Sequence, residues 1–180
     1  MAIDNSAIAR GACTGPARTR SSPVAKTTPA TIALARTGST FTLHSYDYDP
    51  DAARVGLQAA DALGEDPARV LKTLMVLVDD RPACVVLPSD RELNMKAVAR
   101  IFGGKTARMM PPADAERMTG YKVGGISPFG QKRKAPTAVD ASIAAFDLVY
   151  VNGGQRGLQI RLAPKDLAAT LGATIAELLA

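Results

Sequence analysis

Two stretches of this sequence combine residue types that can do chemistry. The first is Thr119-Gly120-Tyr121-Lys122-Val123-Gly124-Gly125-Ile126-Ser127-Pro128-Phe129-Gly130. No apolar periodicity runs through it, so it reads as neither helix nor strand interior. Its glycines let the backbone bend through positive φ and approach a ligand closely. Clustered N–H groups can then face an anion or a carbonyl oxygen. The plain alternative is a long surface turn. The second is Lys72, which interrupts the apolar run from Val70 to Val78. A charge there costs free energy unless it is paired or reaches water. It is either a lysine snorkelling from a strand end or a point charge aimed into a cleft as a phosphate ligand. Thr73 follows it, and an ideal strand sends the two side chains to opposite faces. Both can serve one site only if the strand bends or ends there.

A third segment, Gly153-Gly154-Gln155-Arg156-Gly157, joins two expected strands. It is a plain hairpin, or it brings Asn152 and Arg156 to the rim of a pocket. No Walker loop is present, because no Gly-Lys-Ser/Thr follows at the required spacing. The glycines at 120, 124 and 125 do not form a dinucleotide-binding fingerprint. A Ser-His-Asp triad would need His44, the only histidine, as base, and Ser127 lacks a nucleophile-elbow sequence. His44 with two separated cysteines, Cys13 and Cys84, makes a poor zinc set. No metal and no cofactor is expected.

Charge narrows the partners. The net charge is +5. About three of those charges lie in residues 1–27, where Arg10, Arg18, Arg20 and Lys26 face only Asp4. From Arg117 through Val139 there is no acidic residue, while Lys122, Lys132, Arg133 and Lys134 fall inside the interval. Such a segment is a solvated basic face or a surface for a polyanion, where each neutralised phosphate releases counterions. Two distant cysteines are no disulfide framework, which fits a reducing cytoplasm. No apolar run reaches the roughly 18–20 residues of a membrane helix, and no secretory signal opens the chain, so no membrane partner is expected.

The elements that must hold these residues can be read in order. Residues 1–27, rich in Ala, Ser, Thr, Arg and Pro, are expected to be a disordered tail. Residues 28–180 then form one domain. Thr28-Pro29 opens a helix that Gly38 ends. Thr40 to Tyr46 alternates as a strand, and Asp51 to Leu63 is helical up to Gly64. Val70 to Val78 and Ala83 to Leu87 are antiparallel strands around the tight turn Asp79-Asp80-Arg81-Pro82. Asp90 caps a helix over Glu92 to Phe102. Ala107 to Met110 is a short strand and Pro112 to Met118 a short helix. Strands at Thr137–Val139, Leu148–Val151 and Leu158–Leu162 follow, then a helix from Pro164 to Leu171 and a short final helix. The pattern predicts a mixed-sheet α/β or α+β domain and not a doubly wound nucleotide fold.

Four motifs in this order resemble one family. They are Phe41-Thr42-Leu43-His44-Ser45-Tyr46; Leu71-Lys72-Thr73-Leu74; Thr119-Gly120-Tyr121 with Val123-Gly124-Gly125-Ile126-Ser127-Pro128 and Gly130-Gln131-Lys132; and Gly153-Gly154 with Arg156-Gly157-Leu158. Together they are similar to the YbaK/EbsC family of trans-acting aminoacyl-tRNA deacylases, relatives of the editing domain of bacterial prolyl-tRNA synthetases. The similarity runs from about Pro29 to the C-terminus and is greatest to the Cys-tRNA(Pro)/Cys-tRNA deacylase branch.

The resemblance implies a compact α/β domain with a mixed, barrel-like sheet around one pocket. It implies hydrolysis of the ester joining a wrong amino acid, foremost cysteine on tRNA(Pro), to the 3′-terminal adenosine. The partners implied are aminoacyl-tRNA and prolyl-tRNA synthetase. A synthetase pocket rejects a similar amino acid by only about 1–3 kcal/mol, so a second, hydrolytic site is needed. By the same resemblance Lys72 orients the terminal nucleotide and Thr73 helps fix it. Backbone at Gly124 and Gly125 faces the ester, Tyr46 lines the pocket, and Val55, Ser127, Asn152 and Arg156 contact substrate. Lys122, Lys132, Arg133 and Lys134 face tRNA. The matched motifs contain no evident general base, which fits a substrate-assisted reaction. Val55 stands where family members carry Phe, and Asn152 where they carry Ser; both departures bear on amino-acid choice more than on reaction class. A non-catalytic tRNA- or synthetase-binding module of the same fold, and a glycine-loop hydrolase for small esters, are the other readings.

Overall fold

The computed structural model describes residues 27–51 and 57–180. The expected tail, apart from its last residue, and Val55 lie outside the described residues. Helix α1 (Pro29–Ala35) begins with a capping box: Thr28 Oγ1 accepts from Thr31 N at 3.2 Å, and Thr31 Oγ1 accepts from Thr28 N at 2.9 Å. Strand β1 (Phe41–Ser45) and helix α2 (Gln58–Leu63) follow, the latter closed by left-handed Gly64. Strands β2 (Leu71–Val78) and β3 (Arg81–Pro88) form a hairpin. Its two-residue turn is Asp79-Asp80, both at positive φ, the twist that suits right-handed flanking strands. Then come α3 (Met95–Ile101), β4 (Ala107–Met109), α4 (Pro112–Thr119) and β5 (Thr137–Asp140). A 3-10 helix (Ala141–Ala145), β6 (Val149–Asn152), β7 (Leu158–Leu162), α5 (Pro164–Leu171) and β8 (Thr174–Ala176) complete the order.

The strands make two sheets, β1-β7-β6 and β4-β2-β3-β5-β8. The first is antiparallel. The second is mixed, because β5 runs parallel to both β3 and β8. The fold is therefore the expected mixed α/β domain, but the barrel-like sheet is corrected. Among the described strands no barrel closes, since a single parallel bridge, Val70 to Tyr150, joins the two sheets.

The main core lies between the sheets. Leu71, Met75, Val86 and Val139 of the larger sheet meet Val149, Val151, Ile160 and Leu162 of the smaller, with Leu34, Phe129 and Leu167 closing the ends. A second cluster under α3 joins Val76, Val78, Val85, Val98 and Leu178. A third sets Ala59 and Ala60 of α2 against Val70 and Tyr150.

Two expected elements are corrected, and they share a cause. The chain end is extended instead of helical: β8 pairs with β5, and Leu93 bridges Leu179. Asn94 N donates to Leu178 O at 2.8 Å, and Ala180 N donates to Glu92 O at 3.1 Å. These bonds hold Glu92 to Asn94 out of helix, so α3 starts at Met95. Its cap is Asn94, whose Oδ1 accepts from Lys96 N and Ala97 N at 3.1 Å each, and not Asp90.

Candidate active site

Val70, just before β2, is bridged to Tyr150 of β6, and β2 pairs with β4 only from Val76. The stretch between those contacts is a split in the seam of the two sheets, and a cavity of about 290 Å³ fills it. Five consecutive residues, Leu71 to Met75, line it. Successive side chains of a strand point to opposite faces, so only a ligand at the strand's edge can meet all five. This geometry answers how Lys72 and Thr73 can border one space: they stand at the start of β2, and the cavity sits beside it.

The cavity also takes Tyr46, Gly124, Asn152 and Gln159, with Met75, Met109, Met110 and Ile126 as apolar wall. Lys72 Nζ donates to Arg91 O at 2.5 Å and to Ser89 O at 3.3 Å, which leaves one N–H for a ligand. Burial pulls its pKa below the usual lysine range, opposed by the carboxylates of Asp90 and Glu92. Among the described residues Thr73 Oγ1, which is buried, has no hydrogen-bond partner, and neither has the buried Gln159 Oε1. Tyr46 is raised in pKa chiefly by burial, while a hydrogen bond from the Gln159 side chain opposes the shift.

Asn152 is committed to the backbone around it. Its Nδ2 donates to Gly124 O at 3.2 Å and its Oδ1 accepts from Gly154 N at 2.8 Å. It thereby ties β6 to the glycine-rich loop across the mouth of the split. Gly124 sits at φ +85°, a conformation that favours glycine. Gly125 does not line the cavity. Its N–H donates to Lys122 O at 2.8 Å, and a Cβ on it would stand 2.8 Å from Arg156 N, so this glycine permits close packing on the β6–β7 turn.

Other expected site residues stand elsewhere. Ser127 is fully buried, its Oγ accepting from Phe129 N at 3.3 Å, and it does not reach the cavity. Arg156 lies over the Tyr48 ring at 5.3 Å and donates through Nε to Val123 O at 2.9 Å; Tyr48 and Val123 line the cavity mouth. Lys122 is paired with Glu116 at 2.8 Å. Lys132, Arg133 and Lys134 are exposed, and their segment is pinned by Lys132 N to Thr119 O and Arg133 N to Met118 O. His44 shares a 2.9 Å hydrogen bond with Thr42 Oγ1 and meets the Tyr150 ring edge-on, so it is not joined to Ser127 in a triad.

Gln159 was missed by the sequence reading. It is a polar residue in a short strand beside Gly157, and alternation alone would have sent it to solvent. The available signal was its place across from His44 and Asn152, visible only in the register.

Two alternatives are weaker as sites. A hollow of about 530 Å³ at Ile143, Phe146, Pro164 and Ile175 contains none of the unpartnered buried side-chain atoms. The Cys84 thiol is fully buried and pushed up to about 12, so it is not a nucleophile at neutral pH. Among the described residues no group of three His, Cys, Asp or Glu could hold a metal, and no helix is long and apolar enough to cross a membrane.

Comparisons with known proteins bear on the family and on the fold. EbsC of Enterococcus faecalis, provisionally named a Cys-tRNA(Pro)/Cys-tRNA(Cys) deacylase, is 34% identical over 120 residues, 66% of this chain and 73% of that protein. The proline–tRNA ligase of Shouchella clausii is 32% identical over 108 residues, 60% of this chain but 19% of the ligase. The crystal structure of a protein provisionally described as a trans-editing enzyme for prolyl-tRNA synthetase superposes with a TM-score of 0.71, covering 84% of this chain and 92% of that one at 23% identity; this likeness speaks to fold. A hypothetical protein of known crystal structure gives 0.75 at 26% identity, covering 84% and 99%. The aminoacyl-tRNA editing domain matches residues 49–170, a span that includes β2, the glycine-rich loop and the β6–β7 turn, and the chain belongs to that family.

Proposed function

We propose that this chain is a trans-acting deacylase that hydrolyses the ester of mischarged aminoacyl-tRNA, with Cys-tRNA(Pro) as its preferred substrate. One observation carries the reading: Lys72, Thr73 and Gln159 line one cavity at the seam of the sheets, and a buried side-chain oxygen on each of the last two has no partner among the described residues. A buried polar atom without a partner costs about 1–3 kcal/mol, a cost a bound polar ligand relieves.

In this reading the 3′-terminal adenosine and its amino acid enter the split. The remaining N–H of Lys72 binds the ester carbonyl or a nearby phosphate oxygen and stabilises the negative charge that grows as the carbonyl is attacked. Thr73 and Tyr46 hydroxyls orient the ester, and Asn152 keeps Gly124 in place. Among the described residues no carboxylate or imidazole lines the cavity. Proton transfer therefore falls to water or to a group of the substrate itself, such as the ribose hydroxyl or the side chain of the amino acid. Lys132, Arg133 and Lys134 take phosphates of the acceptor end. The similarity of this chain to part of a proline–tRNA ligase supports a place of action beside that synthetase, in the cytoplasm.

The test is a panel of mischarged tRNAs at enzyme well below substrate. Multiple turnovers on cysteinyl-tRNA(Pro), faster than on correctly charged prolyl-tRNA, are expected. Tight tRNA binding without hydrolysis would overturn the proposal in favour of a non-catalytic module, and hydrolysis of simple esters alone would favour a small-ester hydrolase.

A further inference from the structure

We infer that Gln159 reads the free α-amino group of the esterified amino acid, making the protein selective for aminoacyl over des-amino and N-blocked esters. This rests on the deacylase reading. Gln159 is 4% exposed on the outer face of β7, between His44 of β1 and Asn152 of β6. Its Oε1 has no partner among the described residues, and Gln159 and Tyr46 both line the cavity. This cavity-lining residue therefore holds an acceptor with nothing to accept.

Such an atom selects a hydrogen-bond donor. On an aminoacyl-adenosine the strongest donor is the α-ammonium, because charge assistance roughly doubles a hydrogen bond. The disposition of charge in the cavity gives the same orientation. The lysine ammonium comes from β2 on one wall, and Gln159 stands on β7 in the other sheet. An amino-acid ester is positive at its amino end and develops negative charge at its carbonyl, so it fits with the amine at Gln159 and the carbonyl toward Lys72. An N-acyl group would have to displace a buried side chain. The consequence is functional: tRNA carrying a blocked amine, as in a peptidyl ester, would be spared.

The experiment compares cysteinyl-tRNA with the same tRNA bearing the des-amino 3-mercaptopropionyl ester and the N-acetylcysteinyl ester. Each rate is divided by its spontaneous hydrolysis, since the α-amine itself activates the ester. The wild-type enhancement should fall at least tenfold on both analogues. Gln159→Leu should lose at least tenfold on cysteinyl-tRNA and treat the amine and des-amino esters alike, while Gln159→Glu, which keeps an acceptor, should restore the preference. Equal wild-type enhancement on all three esters overturns the inference without any variant and leaves the deacylase reading standing. Disappearance of the Leu effect on tRNA ending in 2′-deoxyadenosine also overturns it, because the donor would then be the ribose hydroxyl. Failure of the wild type to hydrolyse any of the esters overturns the deacylase reading, and this inference with it.

Discussion

Two buried polar sites in this protein are built on opposite principles. Asp140, at the end of β5, is 2% exposed and fully partnered. Its Oδ1 accepts from Ser142 N at 2.9 Å and Ser142 Oγ at 2.5 Å, and its Oδ2 accepts from Leu178 N at 2.8 Å. At the split between the sheets, Thr73 Oγ1 and Gln159 Oε1 are equally hidden and accept from nothing. A buried group that is satisfied holds architecture together; one left unsatisfied beside a cavity has hydrogen-bonding capacity that water or a ligand can fill. The comparison predicts that substitutions at the first site act on stability and those at the second on activity.

The largest effect is expected at Lys72. Among the described residues its ammonium is the one full positive charge on the cavity wall. Lys72→Ala should remove about 2–4 kcal/mol of transition-state stabilisation, a loss of roughly 30- to 900-fold in kcat/KM, while the thermal midpoint moves little. A folded Lys72→Ala protein with unchanged deacylation would return this residue to a snorkelling lysine resting on the Ser89 and Arg91 carbonyls.

Asp140→Ala should do the reverse. It strips the cap from the 3-10 helix and leaves the buried Leu178 N–H unpaired, at about 3 kcal/mol in all. Denaturant unfolding should show that loss, and the specific activity of the folded fraction should stay near wild type. A stable Asp140→Ala protein with poor activity would erase the distinction between the two sites.

How much of this was legible in the sequence depends on how local the cause is. The Asp79-Asp80 hairpin, the Thr28 cap and left-handed Gly64 follow from neighbours in the chain, and they could be read. The segment from Glu92 to Asn94 and the chain end could not, because each is extended only through pairing with the other across some 85 intervening residues. The same limit applies to the site. Lys72, Thr73 and the glycine-rich loop stood out by composition. That Ser127 is a turn residue, and that Gln159 has a free acceptor, depends on register and on the split between β2 and β6, which no local pattern encodes.

The next prediction tests whether charge outside the cavity belongs to the site. Arg117 and Lys122 of the acid-free interval are neutralised by Asp114 and Glu116 of α4. That leaves Lys132, Arg133 and Lys134 as its exposed charge. Replacing all three with Ala should lower tRNA affinity about tenfold and flatten its dependence on log salt by about two units. Exposed substitutions of this kind shift stability by no more than about 0.5 kcal/mol. An unaltered salt slope would make the patch merely solvated.

The sharpest use of the comparison is Thr73→Val. The two side chains have nearly the same shape, and the hydroxyl that Val lacks has no partner to lose. Removing a buried, unsatisfied polar atom should leave stability unchanged or raise it by up to about 1 kcal/mol. A threonine kept only for packing would then be no better than valine, and activity would not notice. If the hydroxyl instead orients the ester, Thr73→Val should cost about tenfold or more in kcat/KM, with Thr73→Ser recovering most of it. A Val variant that is destabilised by more than about 1 kcal/mol would mean the Thr73 hydroxyl is satisfied in solution, and the contrast with Asp140 would lose one of its two members.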